Sequence, residues 1–146
     1  MHIEKCGPDQ VAEWVVLRCA LWPDEDHEVM AREAPVMLAQ PDGLVLLALE
    51  GDVVAGFAEA AIRRDYVNGC ETSPVAFVEG IYVVPDQRGR GVARALITAV
   101  EDWALEQGLK ELASDALLDN ARSHAMHQAL GFAETERVVY FRKVLD

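Results

Sequence analysis

The sequence predicts an α/β (α+β) fold in which a central mixed, mostly antiparallel sheet is flanked by helices. Three observations support this class. Strand-like and helix-like segments are interspersed along the chain, three adjacent strand-like segments occupy its middle, and a strongly amphipathic helix follows them. A chain of 146 residues has the length of one domain with one core. We therefore expect residues 1–146 to form a single domain.

The first half of the chain is predicted to contain two helices and a pair of strands. Asp9 can cap the first helix, whose apolar residues recur at helical spacing until Trp22-Pro23 ends it. A second helix is expected to run to about Ala39. Gly51-Asp52 supplies a tight turn between two strand-like runs. The strands predicted in this half are residues 2–6, 44–50 and 53–63.

The second half is predicted to alternate between strands and helices. A strand over residues 75–84 is ended by Pro85, and Asn120 is expected to open a helix that ends at Gly131. Between them lies the amphipathic helix, with one apolar face formed by Val92, Ala93, Leu96, Ile97, Val100 and Ala104. The remaining strands predicted are residues 111–115 and 136–144.

The charge balance of the chain is strongly acidic. Twenty-five Asp and Glu residues face thirteen Lys and Arg residues, which gives a formal net charge of −12. Such a field repels nucleic-acid backbones and anionic membranes and attracts cations. We therefore expect no nucleic-acid or membrane partner. By itself the charge is explained by solubility, but if acidic side chains gather around a site it would steer a small polycationic substrate there.

The sequence also predicts a cytoplasmic location. No apolar run approaches the roughly 20 residues of a membrane span, and the first residues lack the apolar region of a secretory signal. The three cysteines, Cys6, Cys19 and Cys70, are an odd number without C-x-x-C spacing. Buried free thiols in a reducing compartment explain them most simply.

The most informative segment is the glycine-rich run from Gln87 to Arg94, which follows a strand and opens a helix. Small residues at 89, 91 and 93 let a ligand approach the main chain, and the helix start favours an anion. Arg88 and Arg90 can add charge-assisted contacts, so a pyrophosphate fits. The run lacks the Gly-Lys-Ser/Thr of an NTPase loop, and Arg94 breaks the Rossmann pattern. A turn without a ligand remains the alternative.

This run resembles the acetyl-CoA loop of the GNAT superfamily of N-acetyltransferases. Arg88, Gly91 and Ala93 match the family pattern Gln/Arg-x-x-Gly-x-Gly/Ala, and Asn120 with Gly131-Phe132 matches a downstream family motif. Most of the chain further resembles a branch of aminoglycoside 6′-N-acetyltransferases. The matching stretches are Leu21-Trp22-Pro23, residues 61–69, residues 73–83, residues 113–115 and residues 127–142.

The resemblance implies the GNAT fold, acetyl-CoA as cosubstrate and acetyl transfer to the 6′-amino group of an aminoglycoside, which would confer antibiotic resistance. The pantetheine arm of CoA would lie along the fourth strand, and the Val83 N–H would be a candidate oxyanion donor. The alternatives are that Ile81 and Val83 only belong to a core strand and that Asn120 only caps a helix. The implied cofactor-binding residues are Ile81, Tyr82, Val83, Arg88, Gly89, Arg90, Gly91, Val92, Ala93, Arg94 and Asn120.

On the substrate side, the resemblance implies two catalytic carboxylates, Glu79 and Asp115. Glu79 interrupts an apolar strand and Asp115 ends another, where a carboxylate is costly without a cation, a donor or water. They would bind the 6′-ammonium and relay its proton, and the sequence leaves open which is the base. The implied substrate-binding residues are Trp22, Tyr66, Glu79, Asp115 and Glu136. Glu25 is a further candidate, because a carboxylate there would suit a cationic ligand. For each of them a core, cap or solvated role is the alternative.

Two positions depart from the family pattern. His127 stands where many members have a Tyr proposed to protonate the leaving thiolate, and Glu25 stands where some relatives have a substrate-contacting His. His124 and His127 are three apart on one helix, but no third ligand at metal spacing accompanies them. No metal site is expected.

The sequence thus favours direct attack of a neutral amine on the thioester, with both substrates bound together. One alternative is a GNAT enzyme acting on another small amine or a peptide N-terminus. Another is a non-catalytic acyl-CoA-binding module. The family likeness and the apolar run Val138-Val139-Tyr140-Phe141 also predict a homodimer, with a place in the core as the alternative for this run.

Overall fold

A five-stranded sheet forms the centre of the protein, as seen in the computed structural model, which describes all residues from 1 to 146. The strands are β1 (His2–Lys5), β2 (Gly43–Glu50), β3 (Val53–Arg63), β4 (Val75–Val83) and β5 (Leu112–Ala113). The helices are α1 (Val11–Leu21), α2 (His27–Leu38), α3 (Val92–Glu106) and α4 (Ala121–Ala129). The sheet order is β1-β2-β3-β4-β5, antiparallel from β1 to β4 and parallel between β4 and β5. The predicted mixed, mostly antiparallel sheet is confirmed.

Helices cover both faces of this sheet. Successive side chains of β3 point to opposite faces, so Ala58 and Ala60 pack with α3 while Phe57 packs with α1 and α2. The sheet therefore has two cores, one on each face. The acidic side chain of Glu59 lies on the α1 and α2 face, where it is 3% exposed.

Helix α3 confirms the predicted amphipathic helix. Its residues Leu96 and Val100 are fully buried against the sheet. Fully burying one such side chain contributes roughly 1.5–3 kcal/mol. This packing fixes the start of α3 beside the end of β4. No helix of the protein is long and apolar enough to cross a membrane.

The helix caps only partly follow the prediction. Asn120 caps α4, because its Oδ1 accepts a hydrogen bond from the Ser123 N–H at 3.1 Å. Gly131, with φ of 95°, follows α4 as predicted. The predicted cap at Asp9 is wrong, since Asp9 lies within a short 3₁₀ turn and no side chain caps α1.

The predicted strand over residues 136–144 is also wrong. Residues after Phe132 form no helix or strand, and Val139, Tyr140 and Phe141 are 76%, 85% and 92% exposed. A strand needs a neighbour for its backbone N–H and C=O groups, and no other segment of this chain pairs with this one. The strand predicted at 111–115 is shortened to β5 for a related reason, because it pairs with β4 at only two positions.

Candidate active site

A β-bulge in β4 places Glu79. Glu59 of β3 pairs with Gly80 and the next residue, Ala60, pairs with Val78, so Glu79 is the extra residue on β4. A bulge bends its strand and redirects a side chain, and bulges are frequent next to active sites. This geometry explains how a carboxylate can interrupt an otherwise apolar strand and remain exposed.

Beyond the bulge, one edge of β4 has no strand beside it. The parallel pairing with β5 covers only Ala76 and Phe77. On the other edge the Val84 N–H donates to the Ala55 carbonyl of β3 at 2.9 Å. Because alternate residues of an antiparallel strand direct their N–H groups to opposite sides, the Ile81 and Val83 N–H groups face the open edge. A gap with unused backbone groups therefore separates the ends of β4 and β5.

By the same alternation, the Tyr82 backbone groups face β3. The Tyr82 ring instead contacts Arg88, whose guanidinium carbon lies 5.4 Å from the ring centroid. The Arg88 Nε also donates a hydrogen bond to the Val83 carbonyl at 2.8 Å. Arg88 is thus anchored on the strand that it follows, next to the gap.

The glycine-rich loop leaves its main chain uncovered. Gly89 and Gly91 have φ of 77° and 81°, and a Cβ at either position would meet no atom within 4 Å. No side chain caps the start of α3 at Gly91, so its first N–H groups remain for a ligand. Arg94 has another contact, since its Nη2 donates to the Ala129 carbonyl near the end of α4 at 2.8 Å. The loop can hold phosphate groups mainly by main chain.

Arg63 pairs with Glu79 at the other end of the gap. The Arg63 Nε and Nη2 atoms donate to the two Glu79 oxygens at 3.0 and 2.8 Å, and the guanidinium lies 3.4 Å from the Phe77 ring centroid. The Glu79 hydrogen bonds raise the pKa of Arg63, and the charge of Asp115 adds to the shift. Asp115 itself is exposed and makes no hydrogen bond or ion pair. The two predicted catalytic carboxylates therefore share one cation, but only Glu79 is bonded to it.

A large cleft of about 1450 Å³ opens beside Asp115. Tyr66 and Glu136, both exposed, line it together with Arg63 and Asp115. Thr135 lies against Gly69, which leaves no room for a side chain there and holds the chain near Glu136 beside the loop of Tyr66. Three of the residues predicted to bind substrate therefore line one cleft, namely Tyr66, Asp115 and Glu136. Glu79 adjoins the cleft through its ion pair with Arg63, which does line it.

Trp22 approaches this region from α1. Its ring packs edge-on against Phe57 at a centroid distance of 6.4 Å and lies over Gly80, where an added Cβ would be 2.5 Å from the ring. Gly80 is next to Glu79, so Trp22 adjoins the predicted site. Glu25 does not join this group. It is exposed in the loop after Trp22, and its backbone N–H donates to the Trp22 carbonyl at 3.2 Å.

His127 has a defined hydrogen-bonding pattern. Its Nδ1 lies 2.7 Å from the Ser123 carbonyl, which can only accept, so Nδ1 carries the proton of the neutral ring. Its Nε2 then accepts from the Ser114 hydroxyl at 2.7 Å. The ring also packs edge-on against Phe132. The hydrogen bond with Ser114 joins α4 to the residue after β5. No cluster of His, Cys, Asp or Glu side chains is arranged to hold a metal ion.

Three charged residues near the site were not predicted from the sequence, namely Arg18, Glu59 and Arg63. Arg63 pairs with Glu79, and the ion pair of Arg18 with Glu59 lies behind Trp22. Glu59 interrupts the apolar run of β3 in the same way that Glu79 interrupts β4, which is a signal the sequence offers. Arg18 stands four residues from both Trp14 and Trp22, a spacing that places all three on one helix face.

The comparisons with known proteins agree with this geometry. The family model "Acetyltransferase (GNAT) family" matches residues 9–132. The chain belongs to this family of acetyltransferases, and the predicted GNAT fold is confirmed. Related structures hold CoA or a bisubstrate analogue that contains CoA. Acetyl-CoA is therefore the cosubstrate of this chain.

Within the family, the chain is most informatively compared with three relatives. It is 51% identical over 144 residues to aminoglycoside N(6′)-acetyltransferase type 1 of Acinetobacter baumannii, with 98% of each chain covered. It matches the structure of aminoglycoside antibiotic 6′-N-acetyltransferase AAC(6′)-IG from Acinetobacter haemolyticus with a TM-score of 0.96, 46% identity and all of both chains covered. A complex of AAC(6′)-Iy with the bisubstrate analogue CoA-S-monomethyl-acetylneamine matches with a TM-score of 0.94 and 42% identity over 99% and 98% of the two chains.

Proposed function

We propose that this chain transfers the acetyl group of acetyl-CoA to the 6′-amino group of aminoglycoside antibiotics and thereby confers resistance to them. Relatives that carry this activity in their names are 51% and 54% identical to it over 98% of its length. The structural observation that carries the proposal is that the unpaired Asp115 and the paired Glu79 both act on Arg63, near the gap between β4 and β5. We propose that the whole chain, residues 1–146, acts as one acetyltransferase domain.

On the donor side, the gap and the glycine-rich loop fit acetyl-CoA. The Ile81 and Val83 N–H groups on the open edge can bond the pantetheine arm, and the start of α3 can hold the pyrophosphate. Acetyl-CoA supplies an activated thioester. The Val83 N–H would stabilise the negative charge that develops on the thioester oxygen during attack. Tyr82, Arg94 and Asn120 would support these contacts indirectly, because each has a structural contact in the fold.

On the acceptor side, the carboxylates fit a polycationic ligand. Glu79, Asp115 and Glu136 are exposed in one region of a chain whose net charge is −12, and Tyr66 adds an exposed aromatic face. Trp22 would supply a second aromatic wall next to Glu79. Such an arrangement favours ligands that carry several ammonium groups and attached sugar rings.

We assign the removal of the proton from the attacking amine to Asp115. An ammonium has no lone pair, so a base must accept its proton before the nitrogen attacks the thioester carbon. Both Glu79 oxygens already accept hydrogen bonds from Arg63, which weakens Glu79 as a base, whereas Asp115 makes no such bond. Glu79 with Arg63 would then orient the acceptor. Attack forms the C–N bond and moves negative charge onto the thioester oxygen, and collapse of this tetrahedral species breaks the C–S bond and releases CoA as a thiolate. The second proton of the attacking nitrogen passes to the thiolate or to water, which leaves a neutral amide.

The experiment that tests the proposed function measures thiol release from acetyl-CoA with a panel of amines: kanamycin, tobramycin, spermidine and a short peptide. We expect release with the two aminoglycosides, and acetylation at the 6′-nitrogen by mass spectrometry and NMR. Release with spermidine or the peptide alone would indicate another acceptor class. Tight CoA binding without release from any amine would indicate a non-catalytic module.

We further propose that two copies of the chain form a homodimer through the segment after Phe132. This segment exposes Val139, Tyr140, Phe141 and Leu145, the last 84% exposed, and has no strand partner in its own chain. Size-exclusion chromatography with light scattering should give twice the monomer mass. Replacing Tyr140 and Phe141 by Asp should give a folded monomer, and a wild-type monomer at micromolar concentration would contradict the proposal.

The composition supports two further parts of the proposal. The three cysteines are unpaired, which fits a reducing cytoplasm. Burial raises the pKa of Cys6 to about 11, so this thiol stays protonated and unreactive. The acidic net charge supports the absence of nucleic-acid and membrane partners.

A further inference from the structure

A buried ion pair lies directly behind the proposed acceptor site. The Arg18 Nε of α1 donates to both carboxylate oxygens of Glu59 of β3, at 3.1 and 2.9 Å. The two residues are 9% and 3% exposed. Neither touches the open gap, and the proposed acetyl transfer uses neither of them. Their presence in the core therefore needs a separate explanation.

Stability alone is a poor explanation for this pair. Transferring two charges out of water is costly, and replacing a buried pair by apolar residues of similar size is often neutral or stabilising. Burial does raise the pKa of Glu59 even though Arg18 opposes the shift, which shows that the desolvation cost is substantial. A pair with this cost is best explained by the geometry that it imposes on its neighbours.

That geometry centres on Trp22. The Arg18 guanidinium carbon lies 5.5 Å from the Trp14 ring centroid and 5.1 Å from the Trp22 ring centroid. The Arg18 carbonyl also accepts the Trp22 N–H at 2.9 Å, where α1 ends. Glu59 fixes the guanidinium from the sheet side and pairs in register with Gly80. The Trp22 ring is thus held between a fixed cation and the backbone of Gly80, beside Glu79.

We propose that the Arg18–Glu59 ion pair is a positioning device that holds the Trp22 ring against Gly80 and thereby sets the aromatic wall of the acceptor site. The guanidinium provides a flat, charged surface that an aromatic ring prefers, with an attraction that increases when the cation is desolvated. A Met and Leu pair would fill the same space but would not offer the ring a fixed cation. This inference rests on the proposed contact between Trp22 and the aminoglycoside.

The test is a set of variants assayed for the KM of kanamycin, the KM of acetyl-CoA and kcat. Arg18→Met/Glu59→Leu removes both charges together, so no charge is left buried alone. We expect this double variant to fold, to keep its kcat and KM for acetyl-CoA within about twofold, and to raise the KM of kanamycin about tenfold. Trp22→Ala should raise the same KM by a similar factor.

The triple variant separates positioning from an independent effect. If the ion pair acts through Trp22, the triple variant should have the same KM for kanamycin as Trp22→Ala alone, about tenfold above wild type. Independent effects would multiply to about a hundredfold and would overturn the inference. An unchanged KM in the double variant, or in Trp22→Ala, would overturn it as well.

A matched control excludes loss of stability as the cause. Val100→Ala removes fully buried side-chain atoms of α3 on the opposite face of the sheet, far from Trp22. It should lower the melting temperature and leave the KM of kanamycin unchanged. A raised KM in this control would show that general destabilisation explains the double variant. The proposed function has its own test, since wild-type turnover of kanamycin does not depend on any of these variants.

Discussion

The two halves of the candidate site are built from different parts of the polypeptide. The donor half, formed by the end of β4 and residues 87–94, offers backbone N–H groups at an open strand edge and at a helix start. The acceptor half, formed by Trp22, Tyr66, Glu79, Asp115 and Glu136, offers side chains carried by five separate segments. The donor half depends on local backbone geometry. The acceptor half depends on how distant segments meet.

A change in sequence should therefore affect the two halves differently. A main-chain site tolerates many side chains as long as the backbone keeps its shape, so a few small residues define it. A side-chain site changes with each residue that reaches it and with each residue behind it. GNAT proteins that share this fold should therefore bind the same acetyl donor and differ in the amine that they accept.

The largest effect is expected from Asp115→Asn in the acceptor half. Removing the proposed base should lower kcat with kanamycin about a thousandfold, within the range typical of general base catalysis. The KM of acetyl-CoA should stay unchanged because the donor half is intact. Steady-state thiol release measures all of these constants.

Glu79→Gln is the matched variant for Asp115→Asn. Because Glu79 is bonded to Arg63, its loss should mainly raise the KM of kanamycin and change kcat less. The opposite pattern, with kcat lost in Glu79→Gln and kept in Asp115→Asn, would assign the proton transfer to Glu79.

The next effect concerns stability in the core behind the acceptor half. Arg18→Met leaves the Glu59 carboxylate buried without a cation and should reduce the free energy of unfolding by about 3 kcal/mol at neutral pH. Arg18→Met/Glu59→Leu should recover most of this loss. Urea denaturation of both variants measures the difference, and equal stability of the two would contradict the assignment.

The same variant has a pH signature. Burial raises the pKa of Glu59 in the folded state, so the folded chain binds this proton more tightly than the unfolded chain. A carboxyl group whose pKa is raised by folding lowers the free energy of unfolding at any pH above its pKa in the folded state. This reduction disappears below the ordinary pKa of 4.5. Arg18→Met enlarges the shift because the opposing cation is gone. Its stability relative to wild type should therefore improve as the pH falls toward that ordinary value.

Features that depend on local sequence were predictable, and features that depend on contacts between distant segments were not. The amphipathic pattern of α3 and the apolar runs of β2, β3 and β4 depend on local periodicity, so these elements and the mixed sheet were predictable. The strand over 136–144 was predicted wrongly from an equally apolar run, because a strand also depends on a neighbour that a pattern does not supply. The bonding of Arg63 to Glu79 joins residues 16 apart across a bulge, and nothing local in the sequence indicates it.

A smaller effect is expected in the donor half from Gly91→Ala. At φ of 81° a side chain strains the backbone by roughly 1–2 kcal/mol, and the start of α3 would shift to relieve it. We expect the KM of acetyl-CoA to rise about tenfold with the KM of kanamycin unchanged. Gly108→Ala is the control, because φ there is 77° and a Cβ has equally free space, but the residue lies after the other end of α3. If both variants raise the KM equally, strain alone accounts for the effect.

The smallest effect is expected from Glu25→Gln, which tests how far the acceptor half extends. Glu25 is exposed, has no side-chain partner and does not line the cleft beside Asp115. Its charge is screened by water and salt, so kcat/KM with kanamycin should change less than twofold at 0.15 M salt. Glu136→Gln, which removes an equal charge from the cleft itself, should change it more. A larger loss in Glu25→Gln would mean that the loop after Trp22 closes onto the bound aminoglycoside, and the acceptor half would then include a segment that lies apart from it in this structure.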